Sequence, residues 1–199
     1  LVAPRLASFH IGGMAGYMIS PNPKDPRLTE RVVGIDQNGK AIETLVTVER
    51  PLTLFLNDQE IVTMMTIGDY PDCLAVGFLL NQNMLQPADV ITGIDYDEEI
   101  DVVVVRTERE TDYEQKLKKK IRTSGCAVGT VFGDMMEQFD EVVLNPKARL
   151  HTSWLVTLSK RINTTPSLYL ESGAIHGCVL RERARPLIYM EDVGRHNAV

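Results

Sequence analysis

Hydrophobic and polar positions alternate along the first half of the chain, a pattern typical of half-buried strands. The alternation predicts six strands that pair as three hairpins, at residues 31–36 and 41–48, 52–56 and 60–67, and 91–96 and 100–106. Asn38-Gly39 is a strong signal for a two-residue hairpin turn. Pro71 suits the first turn of a helix, because its missing N–H needs no partner there, and a helix is predicted at about 71–83. We expect residues 31–110 to form an antiparallel β unit with one packed helix.

The pattern changes in the second half, where helical spacing alternates with short strands. Helices are predicted at 111–122, 129–139 and 149–162, strands at 168–170, 175–180 and 187–190, and a further helix from Gly194. Leu150, Trp154, Leu155 and Leu158 share one stripe at helical spacing, which predicts a core-facing surface. Residues 111–199 are therefore expected to form an α/β domain. Residues 1–30 are rich in glycine and proline and are expected to be an irregular, mobile N-terminal arm.

Composition places the chain among ordinary globular proteins. Of its 199 residues, 44% are hydrophobic and 24% are charged, which excludes a disordered or fibrous chain. Three cysteines without paired spacing indicate a reducing cytosol rather than a disulfide framework. We see no signal peptide and no apolar run near the ~20 residues of a membrane span, so a cytoplasmic protein is expected.

Charge is distributed unevenly along the chain. Residues 1–115 hold 8 Lys and Arg against 19 Asp and Glu, whereas residues 116–199 hold 13 against 8. The basic second part is suited to an anionic partner, although charge can also drift along a surface without functional meaning.

Cys126 is the cysteine best placed for chemistry. It lies between Gly125 and Gly129 and follows the segment 116–122, in which five of seven residues are cations. Nearby cations, and the helix predicted after it, favour the reactive thiolate. The alternative is a small buried side chain beside a solvated lysine face. Cys73 and Cys178 are better explained as structural residues.

Residues 191–197 form the most polar stretch that follows a predicted strand. A strand, then Gly194, then a helix start is a geometry in which backbone N–H groups meet phosphate, and Arg195 can pair with an anion. The alternative is a capping cluster with internal salt bridges. His176 and Cys178 could face a metal together, but no further ligands follow, so no zinc site is expected.

Several of these stretches together resemble the FdhD family of formate dehydrogenase accessory sulfurtransferases. The matching motifs are Glu49-Arg50-Pro51-Leu52-Thr53, residues 70–80, Arg122-Thr123-Ser124-Gly125-Cys126, Glu171-Ser172-Gly173-Ala174-Ile175-His176, and Glu191-Asp192-Val193-Gly194-Arg195-His196-Asn197-Ala198-Val199. The last motif is the most specific of them.

The resemblance implies a fold, an activity and partners. The C-terminal part is expected to be a three-layer, cytidine-deaminase-like α/β domain, incomplete at its C-terminal end. The implied function is to move sulfur from a cysteine desulfurase, as a persulfide on Cys126, to the molybdenum cofactor in its guanine dinucleotide form, for formate dehydrogenase. Gly194, Arg195, His196 and His176 are the implied cofactor-binding residues. A homodimer is our default, and neither nucleic acid nor membrane is an expected partner.

Three features of the sequence limit the resemblance. The family commonly has Cys-x-x-Cys in this loop, whereas Gly129 stands at the second position here, so a relay between two thiols is not available. The zinc deaminase signature is absent, so base deamination is not expected. Family members also run well past the last motif. A chaperone that binds and delivers the cofactor without carrying sulfur is therefore a second hypothesis, and a nucleotide-binding domain without a molybdenum role is a third.

Overall fold

A computed structural model describes residues 18–86, 88–110, 120–122, 130–132 and 143–199. These residues form a mixed α+β structure with several small sheets and few helices. The chain divides into two compact units that interleave along the sequence. Unit 1 contains residues 50–65 and the described part of 70–146, and unit 2 contains 18–49, 66–69 and 147–199. This division differs from the contiguous one at residue 110 that the sequence predicts, because the first predicted hairpin groups with the C-terminal residues.

Unit 1 is built on a four-stranded sheet. Its strands are β3 (Arg50–Leu56), β4 (Gln59–Thr66), β5 (Ile91–Asp97) and β6 (Val102–Thr107), in the spatial order β4-β3-β6-β5. The two hairpins predicted here are confirmed. The expectation of a wholly antiparallel unit is wrong, because β3 and β6 pair in parallel, with Thr53 opposite Val102 and Leu56 opposite Val105.

The core of unit 1 is formed by alternate residues of its strands and by one face of a helix. Alternate residues of β3 and β6 point inward, and helix α1 (Pro71–Asn81) packs against them. The fully buried side chains include Leu52, Leu54, Leu56, Val103, Val105, Ala75 and Leu79. The helix predicted from Pro71 is confirmed. Its N-cap residue, Tyr70, has φ 47° and makes no side-chain cap bond, so proline and packing define this helix start.

Two short strands of unit 1 overturn two helix predictions. β7 (Lys120–Arg122) and β8 (Thr130–Phe132) pair antiparallel, with Arg122 opposite Thr130. The predicted helices at 111–122 and 129–139 are therefore wrong where the structure describes them. Charged and β-branched residues there pair across strands, an arrangement that a local helical pattern does not encode.

Unit 2 combines two hairpins with two helices. β1 (Thr29–Ile35) pairs with β2 (Ala41–Thr47), and β9 (His176–Glu182) pairs with β10 (Arg185–Asp192). Helices α2 (Thr152–Ile162) and α3 (Leu168–Ser172) precede β9. A small core joins these segments through Leu28, Ile67, Leu168 and Ile175.

The first hairpin turn differs from its prediction. Asp36 Oδ1 accepts bonds from the backbone N–H groups of Asn38 and Lys40 at 2.8 and 2.9 Å, and Gly39 takes φ 79°. The loop therefore has three residues between the bonded pair Asp36 and Lys40, with glycine in the left-handed position, rather than the two-residue Asn-Gly turn.

Residues 18–28 are irregular, as expected, and they are anchored in unit 2, because Ile19 bridges to Ile188 of β10 and Leu28 is buried. Two further expectations in unit 2 are wrong. Residues 168–170 are helical rather than extended. The stripe on α2 is not all core, because only Leu158 is buried whereas Leu155 is 43% exposed and Leu150, just before the helix, is 57% exposed. In the described part of the chain, no helix is both long and apolar enough to cross a membrane.

Candidate functional site

Four of the five candidate site residues lie at one end of the β9–β10 hairpin. His176 is the first residue of β9, and its register partner is Asp192, the last residue of β10. Gly194, Arg195 and His196 follow Asp192 directly in a turn. The antiparallel pairing therefore brings the start of β9 and the segment after β10 to the same end of the hairpin.

The turn after β10 is a single turn rather than the predicted helix within the described residues. The backbone N–H groups of Asn197 and Ala198 donate to the carbonyl oxygen of Gly194 at 3.0 and 3.1 Å. Asp192 closes the turn from the other side, because its Oδ1 accepts from Gly194 N at 2.9 Å and from Asn197 Nδ2 at 3.0 Å. The capping part of the alternative thus describes Asp192, although the bonds that it makes here are hydrogen bonds to an N–H and an amide rather than salt bridges.

The second oxygen of Asp192 binds a segment far away in sequence. Oδ2 accepts a bond from Thr66 Oγ1 and a longer one, 3.4 Å, from the backbone N–H of Ile67. Asp192 is 4% exposed and Thr66 is fully buried. A buried carboxylate is stable when its lone pairs meet several donors, and four donors converge on this one.

Gly194 has a different role from the one that its sequence context predicts. Its N–H donates to Asp192 and is therefore not available to a phosphate. A Cβ at this position would lie 3.0 Å from Asn197 Nδ2, so the glycine makes room for the amide that Asp192 holds. Cofactor binding by Gly194 stays a prediction, and the side chains of the turn are the better candidates for contact with a ligand.

Those side chains are available for a ligand. Arg195, His196 and His176 are all exposed. Within the described residues, none of the three side chains makes a hydrogen bond or an ion pair. One guanidinium and two imidazoles at one hairpin end can donate to an anion, and the guanidinium fork matches phosphate or carboxylate oxygens.

Glu191, next to Asp192, anchors the same hairpin to helix α3. It is 3% exposed, and its carboxylate accepts from Leu168 N at 2.8 Å, Tyr169 N at 3.1 Å and Tyr189 Oη at 2.7 Å. The carboxylate thereby caps the first turn of α3, where Ser167 also accepts from Leu170 N. Sequence reasoning placed Glu191 in the motif but missed this role.

The cysteines are only partly described. Cys126 lies outside the described residues, between β7 and β8 in the sequence. Cys73 in α1 and Cys178 in β9 are free thiols of intermediate burial. Cys178 lies two residues from His176 and so shares its strand face, as predicted. No three metal-ligating side chains come together in the part of the chain that the structure describes.

The chain is similar in sequence to one family of known proteins. The model of the FdhD/NarQ family matches residues 47–199, a range that includes all five candidate residues. The sulfur carrier protein FdhD of Listeria monocytogenes is 27% identical over 162 residues, which cover 79% of this chain and 62% of that protein. The protein of the same name from Bacillus subtilis is 24% identical, with 79% and 61% covered. This chain thus spans about three fifths of the length of these relatives.

A solved structure shows a similar fold. It belongs to a protein described as a formate dehydrogenase accessory protein, from Desulfotalea psychrophila. The TM-score is 0.61 at 22% identity, with 85% of this chain and 63% of that one covered. At this identity the likeness concerns the fold alone.

Proposed function

This chain belongs to the FdhD/NarQ family, and from that premise we propose that it is a sulfur carrier acting before formate dehydrogenase. The observation that carries the proposal is the family match over residues 47–199, supported by relatives named sulfur carrier proteins. We further propose a cytoplasmic homodimer whose C-terminal part is deaminase-like. The reducing cytoplasm suits a protein that must keep its thiols free.

The sulfur is carried as a persulfide on Cys126. The Cys126 thiolate attacks the terminal sulfur of a persulfide on a cysteine desulfurase; the donor's S–S bond breaks, and the donor cysteine leaves as a thiolate. This exchange moves one sulfur atom without net oxidation. Its release to an acceptor requires two electrons from a thiol reductant. The cations of segment 116–122 support the reaction by favouring the thiolate.

The acceptor is the molybdenum cofactor in its guanine dinucleotide form, bound as a substrate. Its phosphates meet Arg195 and His196, with His176 at the same hairpin end. The support for this assignment is the exposure of all three side chains and the absence of a competing partner in the described residues. A fixed cationic group near a phosphate is among the stronger polar interactions in proteins.

Mass spectrometry of the whole chain tests the carrier step. The protein is incubated with a cysteine desulfurase and cysteine, and its cysteine-containing peptides are then analysed. We expect one added sulfur atom on the Cys126 peptide, lost on treatment with a reductant, and none on the Cys73 and Cys178 peptides. Cys178→Ser is the matched control and should load as the wild type does, whereas Cys126→Ser should not load.

A chaperone that delivers the cofactor without carrying sulfur is the second candidate. Gly129 favours it, because the chain lacks the second loop cysteine that is common in the family. Absence of any adduct, with a desulfurase shown to be active in the same tube, would refute the carrier step. Cofactor binding and formate dehydrogenase activation that survive in Cys126→Ser would then establish the chaperone.

A further inference from the structure

Asp192 and Asn197 fix the turn that carries Arg195 and His196, and we propose that both are positioning residues for the phosphate site. This inference rests on the proposed function, which assigns Arg195 and His196 to the phosphates of the substrate. It assigns a role to two side chains that touch no ligand themselves. Their effect is exerted through the backbone of the turn.

The hydrogen bonds of Asp192 join the turn to the buried interior of unit 2. Oδ1 holds Gly194 N and Asn197 Nδ2 at 2.9 and 3.0 Å. Oδ2 holds Thr66 Oγ1, which in turn accepts from Gly68 N at 3.2 Å. The turn is therefore fixed to a segment 126 residues away in sequence rather than to its neighbours alone.

A fixed turn favours anion binding because an exposed arginine loses conformational freedom when it binds. A backbone that is already ordered reduces this loss and keeps the guanidinium fork near the orientation that phosphate requires. The charge of Asp192 acts in the opposite direction, since a carboxylate three residues before Arg195 opposes an anion. The two effects can therefore be separated by experiment.

Two substitutions change position at constant charge, and a third removes the charge of Asp192. Asn197→Ala removes one donor of Asp192 and leaves every charge in place. Gly194→Ala puts a Cβ 3.0 Å from Asn197 Nδ2 and so displaces the amide by a few tenths of an ångström. Asp192→Asn removes the charge and also turns an NH₂ group toward two of the four donors, so it changes charge and position together.

The test measures the affinity of the whole chain for GDP, which carries guanine and two phosphates, by isothermal titration calorimetry. We expect Arg195→Gln to weaken binding by about tenfold or more, as for a lost charged contact. Asn197→Ala should weaken it by about five- to tenfold, the effect of one lost hydrogen bond. Asn163→Ala, at the exposed C-cap of α2, and Arg183→Gln, an exposed cation of unit 2, are the matched controls and should bind as the wild type does.

A second readout monitors the turn without ligand. Backbone ¹⁵N order parameters of Arg195 and His196 should fall in Asn197→Ala and Gly194→Ala, from about 0.85 toward 0.6, while the unfolding midpoint stays near that of the wild type. If Asn197→Ala does not fold, Gly194→Ala supplies the same comparison. Asp192→Asn should bind GDP no more tightly than the wild type.

The outcomes separate this inference from the proposed function. If Arg195→Gln weakens GDP binding while Asn197→Ala and Gly194→Ala bind as the wild type does, the positioning role is wrong and the phosphate site stands. If Asp192→Asn binds more tightly, charge dominates and positioning is wrong. If Arg195→Gln itself binds GDP unchanged, the phosphate site is wrong, and the positioning role is overturned with it.

Discussion

Replacing Glu191 with glutamine should destabilise unit 2, because three donors converge on its buried carboxylate. Leu168 N donates to Oε2, and Tyr169 N and Tyr189 Oη donate to Oε1. A glutamine offers one acceptor oxygen and one NH₂ group in the same space. Whichever way the amide turns, its NH₂ faces a backbone N–H of α3, and that N–H loses its acceptor.

The expected loss of stability can be estimated from these hydrogen bonds. An unsatisfied buried N–H costs about 1–3 kcal/mol, and each remaining bond loses about 1 kcal/mol when its acceptor is no longer charged. The neutral amide is cheaper to bury than the carboxylate, which offsets part of the loss. We therefore expect the free energy of unfolding to fall by about 3 kcal/mol, and the melting temperature by about 6–12 °C for a chain of this size.

Urea unfolding followed by circular dichroism measures this change. Glu182→Gln, an exposed carboxylate on the same hairpin, is the matched control and should stay within about 0.5 kcal/mol of the wild type. An unchanged denaturant slope would show that compactness is preserved and that the midpoint reports stability. A Glu191→Gln variant as stable as Glu182→Gln would refute the capping role of the carboxylate.

Two further predictions test other features of the fold. Gly177→Ala should lower the free energy of unfolding by about 1–3 kcal/mol, because its Cβ would lie 2.8 Å from the ring of Tyr189. Gly34→Ala is the control, since a Cβ there would meet nothing within 4 Å and should change stability little. Equal effects of the two variants in urea unfolding would contradict this packing. The hydrogen bond from Arg109 holds the pKa of Asp89 below its usual range. The ionised carboxylate therefore stabilises the fold above the pKa near 4 that it has in the unfolded chain. This stabilisation is lost as the pH falls through the lower pKa of the folded state. Asp89→Asn should therefore be less stable than the wild type at pH 7, and the difference should shrink below about pH 4; a difference independent of pH would show that the ion pair contributes nothing.

Strands with clear alternation could be predicted from the sequence, but their partners could not. The residues of β3 and β6 bury alternate side chains, and that period is visible in the sequence. Their parallel pairing joins segments about 50 residues apart, and a period of two carries no information about which strand lies alongside. The same limit explains the helix predictions at β7 and β8.

Helix α3 was predicted as a strand for a different reason. Leu168-Tyr169-Leu170 is apolar, aromatic and short, which favours a strand when it is considered alone. The structure makes it helical because Ser167 caps the segment locally and Glu191, more than twenty residues later, accepts two of its backbone N–H groups. The serine was a visible signal for a helix start, whereas the distant carboxylate was not.

The sequence motif placed residues near one another without showing how they are held. Arg195 and His196 are exposed in the turn after β10, and His176 lies at the same hairpin end, while their role in cofactor binding stays a prediction. The sequence could not show that Gly194 donates to Asp192 and makes room for Asn197, because a glycine after a strand has the same appearance whether a phosphate or a neighbouring amide needs the space. Thr66 could not be predicted as a partner of Asp192, since nothing near either residue marks the other.

The interleaved order of the two units has a consequence for how the protein is made. Residues 18–49 emerge from the ribosome long before β9 and β10, yet they complete unit 2 only with them. During synthesis Leu28 must wait for Leu168 and Ile175, the later residues with which it forms the small core of unit 2, while unit 1 can already form. Contacts of such long sequence separation close slowly, so we expect unit 2 to set the folding rate and the need for chaperones. Neither half of the gene can be expressed alone as a complete unit 2.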